Sequence, residues 1–198
     1  MFRDLYFKSL RKSYVQIFLE SIVYWYVLFV RTAYEERVMD MLEKHLDCSI
    51  HKPFIPKKVW PFVKGKDVKK EIKICFPGYV FIKSQMNSIN FIQDVFPVIR
   101  TFKEVFYFLH YGEDKYDITL RPDECRSIEC LINPEFSMDS SIGFIEGDRV
   151  KVISGPLLGM ESKIVKINKR KRTAVIDIDI LGAKRHVTLM LEIIEKCI

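Results

Sequence analysis

The pattern of apolar residues changes near residue 146, and this change limits the folds available to the chain. From there onward apolar residues fall at every second position, as in Ala174, Ile176 and Ile178, and glycine-containing turns separate short segments. A period of two is typical of strands that bury one face, and no stretch beyond residue 146 has helical spacing. Residues 146–198 are therefore predicted to form a small all-β barrel of about fifty residues.

Strand and helix signals alternate in the residues that precede this barrel. The aromatic and β-branched run 24–32 predicts a buried strand, and apolar residues at helical spacing in 35–46 predict a helix. Pro97 is expected to end a short helix at 91–95. Further expected elements are two extended arms within 54–73, strands at 79–83 and 104–111, and a helix at 122–132. The predicted fold class is α+β, an antiparallel sheet with flanking helices, followed by the all-β barrel.

Composition divides the chain into four segments. Residues 1–22 form an N-terminal extension, which is either poorly docked or a partner-binding helix. Residues 23–132 form the predicted α+β domain. Residues 133–145 have the proline, serine and glycine content of a linker. Residues 146–198 form the barrel domain.

Charge, cysteine content and the motifs exclude several classes of function. The 32 basic and 26 acidic residues give a net charge of +6, which permits an anionic partner. The five cysteines form no CxxC pair, so we expect reduced thiols in a cytoplasmic protein and no metal site. No nucleotide-binding or nucleophile motif is present, so the sequence predicts neither an enzyme nor a cofactor. The longest apolar stretch is too short to span a bilayer, so no membrane partner is expected.

Two motifs resemble those of the NusG family of transcription factors. The run FPGYVF at 76–81 resembles the signature of the family's amino-terminal (NGN) domain, and WYV at 25–27 matches the start of that domain. The run GDRVKV at 147–152, followed by GPLLG at 155–159, resembles the KOW motif of the family's carboxyl-terminal barrel. The resemblance covers residues 24–198. It implies an NGN-type antiparallel sheet with flanking helices and an SH3-like KOW barrel.

The chain departs from housekeeping members of that family at three places. Ser162 stands where KOW motifs usually have a second glycine. Leu181 stands where housekeeping members commonly place an aromatic residue that contacts ribosomal protein or Rho. The run KRKR at 169–172 is strongly basic. Leu181 and the basic run make the chain similar to a specialised paralogue of the LoaP type, which antiterminates in long biosynthetic operons.

The resemblance assigns a set of aromatic residues to polymerase binding. In the family, the coiled-coil clamp helices of RNA polymerase dock in an exposed apolar pocket, a helix-in-groove interaction. Matching by motif places Phe76 and Tyr79 in that pocket, with Trp25 beside or beneath them and Phe81 in the same set. Alternation sends Tyr79 and Phe81 to one face of their strand and Val80 to the other. The alternative is that all of these aromatic residues belong to the core.

A lysine-rich surface lies on the two arms within 54–73. Its lysines either contact phosphate groups or form a solvated face. The resemblance implies that this side of the domain approaches upstream and non-template DNA. The candidate DNA-contact residues are Lys57, Lys58, Lys64, Lys66, Lys69 and Lys70.

The basic run at 169–172 is predicted to lie at a hairpin tip and favours RNA binding by the barrel. Four consecutive cations at one turn repel one another unless an anion offsets them. Arginine stacks on unpaired bases and lysine holds phosphate groups, as RNA recognition requires. The alternative is a feature that only promotes solubility. The candidate RNA-binding residues are Lys163, Lys166, Lys169, Arg170, Lys171, Arg172, Lys184 and Arg185.

These observations predict a monomeric transcription elongation and antitermination factor. Its NGN domain is expected to bind the RNA polymerase clamp helices, and its KOW domain is expected to bind a nascent RNA hairpin. One alternative is a housekeeping NusG that couples polymerase to the ribosome or to Rho. A second alternative is a KOW-bearing, ribosome-associated RNA-binding protein unrelated to polymerase.

Overall fold

The computed structural model describes residues 23–64, 67–147 and 149–194, with the backbone alone for 61–64, 67–69 and 149. The predicted extension 1–22 and the candidate Lys66 lie outside these ranges. The predicted fold class is confirmed: a mixed α and β amino-terminal part precedes a small barrel-like sheet.

A four-stranded antiparallel sheet forms the centre of the amino-terminal part. Its strands are β1 (Tyr24–Val30), β2 (His51–Phe54), β5 (Tyr79–Ser84) and β6 (Val105–Phe108). They lie in the order β2-β5-β1-β6, so β6 is one edge of the sheet. Alternation in the two central strands, β1 and β5, gives the sheet two apolar faces with different neighbours.

Two helices cover one of these faces. The helices α1 (Glu35–His45) and α2 (Ser88–Ile99) bury Val38, Leu42 and Phe91 against the sheet. The predicted end of α2 before Pro97 is wrong, because the helix continues to Ile99. Pro97 lies in the last turn, where the ring removes only one intrahelical bond, and the helix carries a side-chain cap at its other end from Asn87.

The two predicted arms form a hairpin, β3 (Lys57–Lys64) and β4 (Asp67–Ile74). The two-residue strand β7 (Ser137–Met138) pairs with β3 in parallel and completes a three-stranded sheet. The helix α3 (Pro122–Glu129) begins at the predicted proline but ends three residues before the predicted end at 132. The strand expected at 104–111 is shorter, because only the four residues of β6 are paired.

The carboxyl-terminal part is the predicted barrel. Its strands are β8 (Ser141–Glu146), β9 (Arg149–Ser154), β10 (Ile164–Asn168), β11 (Thr173–Ile180) and β12 (Ala183–Ile193). They lie in the order β10-β11-β12-β8-β9, and a 3-10 turn at Glu161–Lys163 precedes β10. The residues at every second position of β11, including Ala174, Ile176 and Ile178, are fully buried, as the period of two predicts.

The segment 133–145 differs from the linker that its composition predicts. It contains β7 and most of β8, so the barrel sheet begins at residue 141 rather than 146. Met138 and Ser141 are fully buried, and Ser141 Oγ accepts a hydrogen bond from the Leu157 amide at 3.0 Å. Short polar strands and linkers share the same residue types, and only tertiary pairing distinguishes them.

Candidate functional site

The face of the four-stranded sheet opposite α1 and α2 carries the predicted aromatic set. We call Trp25, Phe76, Tyr79 and Phe81 the aromatic face; all four belong to one apolar cluster, whereas Val80 belongs to the cluster beneath the helices. The predicted alternation along β5 is therefore confirmed. Gly78 has a φ of +84°, which favours glycine, and its amide donates to Glu35 Oε1 at 2.6 Å. This turn orients Phe76 and Tyr79.

The aromatic face is not exposed, contrary to the pocket that the sequence analysis expects. Relative exposures are 2% for Trp25, 4% for Phe76, 9% for Tyr79 and 0% for Phe81. The burial comes from one apolar cluster, which includes Ile128 and Leu131 of the amino-terminal part as well as Ile180 and Leu181 of the barrel. The aromatic residues are thus at once core residues of this arrangement and candidates for partner binding.

Glu124 of α3 connects the two parts of the chain. Its Oε1 accepts a hydrogen bond at 2.9 Å from the amide of Gly182, in the turn between β11 and β12. Its Oε2 accepts from the Tyr111 hydroxyl and, at 2.9 Å, from the Arg121 amide. Burial, together with the hydrogen bond to Glu124, raises the pKa of Tyr111 well above its usual range. The carboxylate therefore has partners on both parts of the chain.

Two further contacts hold the barrel against the aromatic side of the sheet. Lys163 Nζ donates to Ser127 Oγ of α3 at 2.7 Å. The Arg185 guanidinium lies 5.5 Å from the centroid of the Tyr79 ring, a cation–π geometry. Burial raises the pKa of Tyr79, and the charge of Arg185 partly opposes this shift. We call these two contacts and the Glu124–Gly182 hydrogen bond the closing contacts.

The eight candidate RNA-binding residues do not form one cluster, so the predicted grouping is wrong. Lys184 and Arg185 follow the Leu181-Gly182 turn, whereas the basic run 169–172 occupies the opposite turn, between β10 and β11. Arg185 pairs with Ile178, five residues from the start of β11, which places roughly 17 Å of strand between the two groups.

The basic run 169–172 forms an exposed turn, which we call the basic turn. Asn168 Oδ1 accepts from the Lys171 amide at 2.9 Å, and Arg172 adopts a left-handed φ of +52°. Arg172 also forms an ion pair with Glu192 at 3.2 Å. Lys169, Arg170 and Lys171 form no ion pair with any residue in the described ranges. Lys166 is exposed on the adjoining strand β10.

The lysine-rich hairpin β3–β4 is only partly available to an anion. Lys57 forms an ion pair with Glu36 at 2.8 Å. Lys58 lies 5.2 Å from the ring of Trp60, and burial lowers its pKa. Lys70 is exposed on β4. Lys64 and Lys69 lie on the hairpin strands β3 and β4, and the structure describes their backbone but not their side chains.

Sequence reasoning missed Glu124, Tyr111 and Phe29. Glu124 is visible in the sequence only as an acidic residue in the first turn of a helix, a position that ordinarily implies solvent and a favourable helix dipole. The centroid of the Phe29 ring lies 5.9 Å from that of Tyr79 and 5.3 Å from that of Tyr107. Because Tyr107 is half exposed, Phe29 extends the aromatic face toward the surface. No local pattern identifies such a contact.

Within the described residues, no group of three or more His, Cys, Asp or Glu side chains is arranged to hold a metal ion. Helices long and apolar enough to cross a membrane are likewise not found in that part of the chain.

Comparisons with known proteins identify several relatives. The family model described as "Transcription termination factor nusG" matches residues 23–129, more than half of the chain. The chain is 27% identical over 176 residues to "Transcription termination/antitermination protein NusG" of Thermus thermophilus, covering 83% of this chain and 94% of the relative. It is 26% identical over 178 residues to the protein of that name from Halalkalibacterium halodurans, covering 87% and 97%. A solved structure described as "Domain interaction in Thermotoga maritima NusG" aligns at 23% identity with a TM-score of 0.46, covering 86% and 94%.

Proposed function

The chain belongs to the NusG family of transcription termination and antitermination factors, and we propose that it binds RNA polymerase through its aromatic face and nascent RNA through its barrel. The family comprises transcription factors rather than enzymes. The resemblance to the family implies that the polymerase partner is the pair of clamp helices, and an apolar, aromatic surface suits such a helix-in-groove partner. In this proposal the NGN domain binds polymerase and the KOW domain binds RNA.

The polymerase proposal rests on how the aromatic face is covered. The helices α1 and α2 lie on the opposite face, where Tyr26, Val80 and Phe91 form a separate buried cluster. On the aromatic face, by contrast, the barrel packs against α3 and Tyr79, held by the closing contacts. A cover made by another part of the chain can be exchanged for a partner helix, which shifts the population toward an open form. Polymerase binding on this face therefore requires the barrel to move away.

The closing contacts also connect RNA binding to this opening. Lys163 and Arg185 are candidate RNA-binding residues, and both contact the amino-terminal part in the closed arrangement. RNA that occupies them binds the open form better than the closed form, so it favours opening. The basic turn remains exposed in the closed arrangement and is proposed as the first point of contact for RNA.

The hairpin β3–β4 is proposed to contact upstream or non-template DNA. The exposed Lys70 forms no ion pair among the described residues, whereas the charge of Lys57 is offset by Glu36. Lys58 lies beside Trp60, where it can hold a phosphate group near an aromatic ring. Lys64, Lys66 and Lys69 remain candidates from the sequence.

We further propose that the chain is a specialised, LoaP-type antiterminator. This proposal is supported by the basic turn and by Leu181, which is 6% exposed and belongs to the cluster that covers the aromatic face. A second candidate is a housekeeping factor that couples polymerase to the ribosome or to Rho, and the relatives' shared name, NusG, is compatible with it. Binding of the full chain to ribosomal protein or Rho, without preference for any RNA hairpin, would support that candidate.

The polymerase proposal is tested by titrating immobilised elongation complexes with the full chain and its Tyr79→Ser variant. Tyr79 is an anchor on the aromatic face, so its replacement is expected to weaken binding by about 2 kcal/mol. Tyr116→Ser is the matched control, because Tyr116 is 75% exposed and lies outside the aromatic face. Thermal unfolding separates lost binding from lost folding. Equal binding by the folded Tyr79→Ser variant would show that polymerase uses another surface.

A further inference from the structure

A cavity of about 400 Å³ lies beside β6, away from the barrel contacts described above. Its apolar lining comes from β6 and from the end of α2, and includes Phe96, Ile99 and Phe106. Phe96 and Phe106 are 51% and 52% exposed. All four residues of β6 line the cavity, so it runs along the edge of the strand rather than over one face, since adjacent side chains point to opposite faces. Exposed aromatic residues in a concave site indicate binding of a partner.

The edge of β6 beside this cavity offers main-chain hydrogen bonds. The strand is the last in the described sheet order β2-β5-β1-β6. The amide of Leu109 donates to Val27 O at 2.8 Å, so the amide of the preceding residue, Phe108, points away from β1. No strand among the described residues pairs with this outer edge. An unpaired edge beside a cavity is the geometry required for addition of a strand from another protein.

Positive charge surrounds the same cavity. Arg100 and Lys115 line it, are exposed and form no ion pair within the described ranges. His110 also lines it, and its Nδ1 atom is buried with no hydrogen-bond partner in the described part of the chain. The cavity therefore combines an apolar floor with groups that attract a carboxylate.

We propose that this edge binds an extended peptide segment of a partner protein, in which apolar and acidic side chains alternate. The segment adds a strand to β6, places an apolar side chain in the cavity against Phe96 and Phe106, and directs carboxylates to Arg100 and Lys115. The open strand edge favours a peptide over a nucleic acid, because main-chain amides pair in register with another polypeptide. The cavity adjoins the aromatic face through Tyr107, which also contacts Phe29, but this inference does not depend on the polymerase and RNA proposals.

The experiment measures fluorescence anisotropy of a short labelled peptide, in which glutamate alternates with valine or phenylalanine, titrated with the full chain. Saturable binding is expected, and Arg100→Glu and Lys115→Glu are each expected to raise Kd by about tenfold. Lys103→Glu is the matched control, since Lys103 is exposed and does not line the cavity. Phe96→Ala is expected to weaken peptide binding. Ile89→Ala, on the same helix, is its control and should not, because Ile89 is 70% exposed and lies outside the cavity.

Main-chain pairing has its own readout. Hydrogen exchange of the Phe108 amide is expected to slow when the peptide binds, and methylation of alternate peptide nitrogens is expected to abolish binding. A peptide with glutamine in place of glutamate should bind more weakly. Absence of saturable binding, equal binding by the Arg100→Glu and Lys103→Glu variants, or displacement of the peptide by single-stranded DNA of equal charge would each overturn the proposal.

Discussion

The carboxylate of Glu124 accepts a hydrogen bond at 2.9 Å from the amide of Gly182, 58 residues further along the chain. The same carboxylate accepts the amide of Arg121 at the start of α3, so it caps its own helix and binds the barrel. Gly182 has a φ of +75°, and a Cβ atom there would lie 3.2 Å from the Tyr111 ring. The turn therefore requires glycine both for its conformation and for its close approach to Tyr111.

Glu124→Ala is expected to favour the open form. The substitution removes the only described side-chain acceptor of the Gly182 amide and is expected to cost the closed arrangement about 1–3 kcal/mol. Elongation complexes should bind the variant more tightly than the parent chain, because less free energy is needed to move the barrel. The Gly182 amide should also exchange its hydrogen faster.

Glu129→Ala is the control for that substitution. Glu129 lies on the same helix and pairs with Lys83 at 3.4 Å, within the amino-terminal part. Its replacement should leave polymerase affinity and Gly182 exchange unchanged. If Glu124→Ala binds polymerase no better than Glu129→Ala while Gly182 exchanges faster, barrel docking does not limit polymerase binding.

The basic turn is expected to provide RNA discrimination through its arginines. Replacing Arg170 and Arg172 by lysine retains charge but removes the planar group that stacks on bases or binds bidentately. Arg172 pairs with Glu192 at 3.2 Å, an interaction that lysine can also make, so the fold should tolerate the change. The double variant should lose preference for a cognate leader hairpin over a scrambled one, with a smaller loss of total affinity.

Salt dependence separates this outcome from nonspecific attraction. Binding through charge alone weakens steeply as salt rises and does not depend on sequence. The control is Lys103→Ala, which removes an exposed lysine of the amino-terminal part that is not an RNA-binding candidate. If the parent chain binds native and scrambled RNA with equal affinity at physiological salt, the basic turn does not recognise a specific RNA and is a solvated patch.

The sequence predicted which residues form the aromatic face, but it did not predict what covers that face. The assignment of Tyr79 and Phe81 to one side of β5 depends only on the period of a strand, which is local. The docking of Leu181 and Gly182 on the same side depends on contacts between residues about a hundred positions apart, for which no periodicity exists. Burial of Glu124 was missed for the same reason.

Local signals also failed where tertiary pairing altered their meaning. Pro97 normally ends a helix, yet α2 includes it because the loss of one bond in the last turn is offset by packing of Val95 and Ile99. The polar segment 133–145 contains Met138, which is fully buried and contacts Cys75 with a sulfur–sulfur distance of 3.4 Å. Composition alone does not reveal a short strand that gains stability from its neighbours.

Thiol reactivity is expected to divide the cysteines into two classes. Burial raises the pKa of Cys75 to about 12, and burial together with Glu129 and Glu124 raises the pKa of Cys125 to about 12. At pH 8 both thiols are almost wholly protonated, so they should react slowly with an aromatic disulfide reagent. Cys48 and Cys130 are exposed and should react rapidly. Cys197 is replaced by serine in every sample, because it lies outside the described residues.

The pH dependence checks this assignment. Because the folded-state pKa values of Cys75 and Cys125 are raised, their thiolate fractions increase with pH and remain small until well above pH 8. Modification of all four thiols at one rate in the folded chain would contradict the burial of these two cysteines. Faster reaction of Cys125 in the Glu124→Ala variant would indicate both a lower pKa and a more accessible α3.

Limited proteolysis tests the division into two domains. The proposed linker 133–145 contains buried Met138 and Ser141, so its accessible part is reduced to the exposed residues Pro134 and Glu135 and to Asp139. A glutamate-specific protease is expected to cut first after Glu135, because this exposed position lies in the segment between α3 and the barrel sheet. The two fragments should stay together on gel filtration while the closing contacts hold, and should separate more readily in the Glu124→Ala variant.

Glu113 is the internal control, since it is also exposed but lies in a loop of the amino-terminal part. A first cut after Glu113, or fragments of the Glu124→Ala variant that stay as tightly associated as those of the parent, would show that the barrel and the sheet behave as one unit.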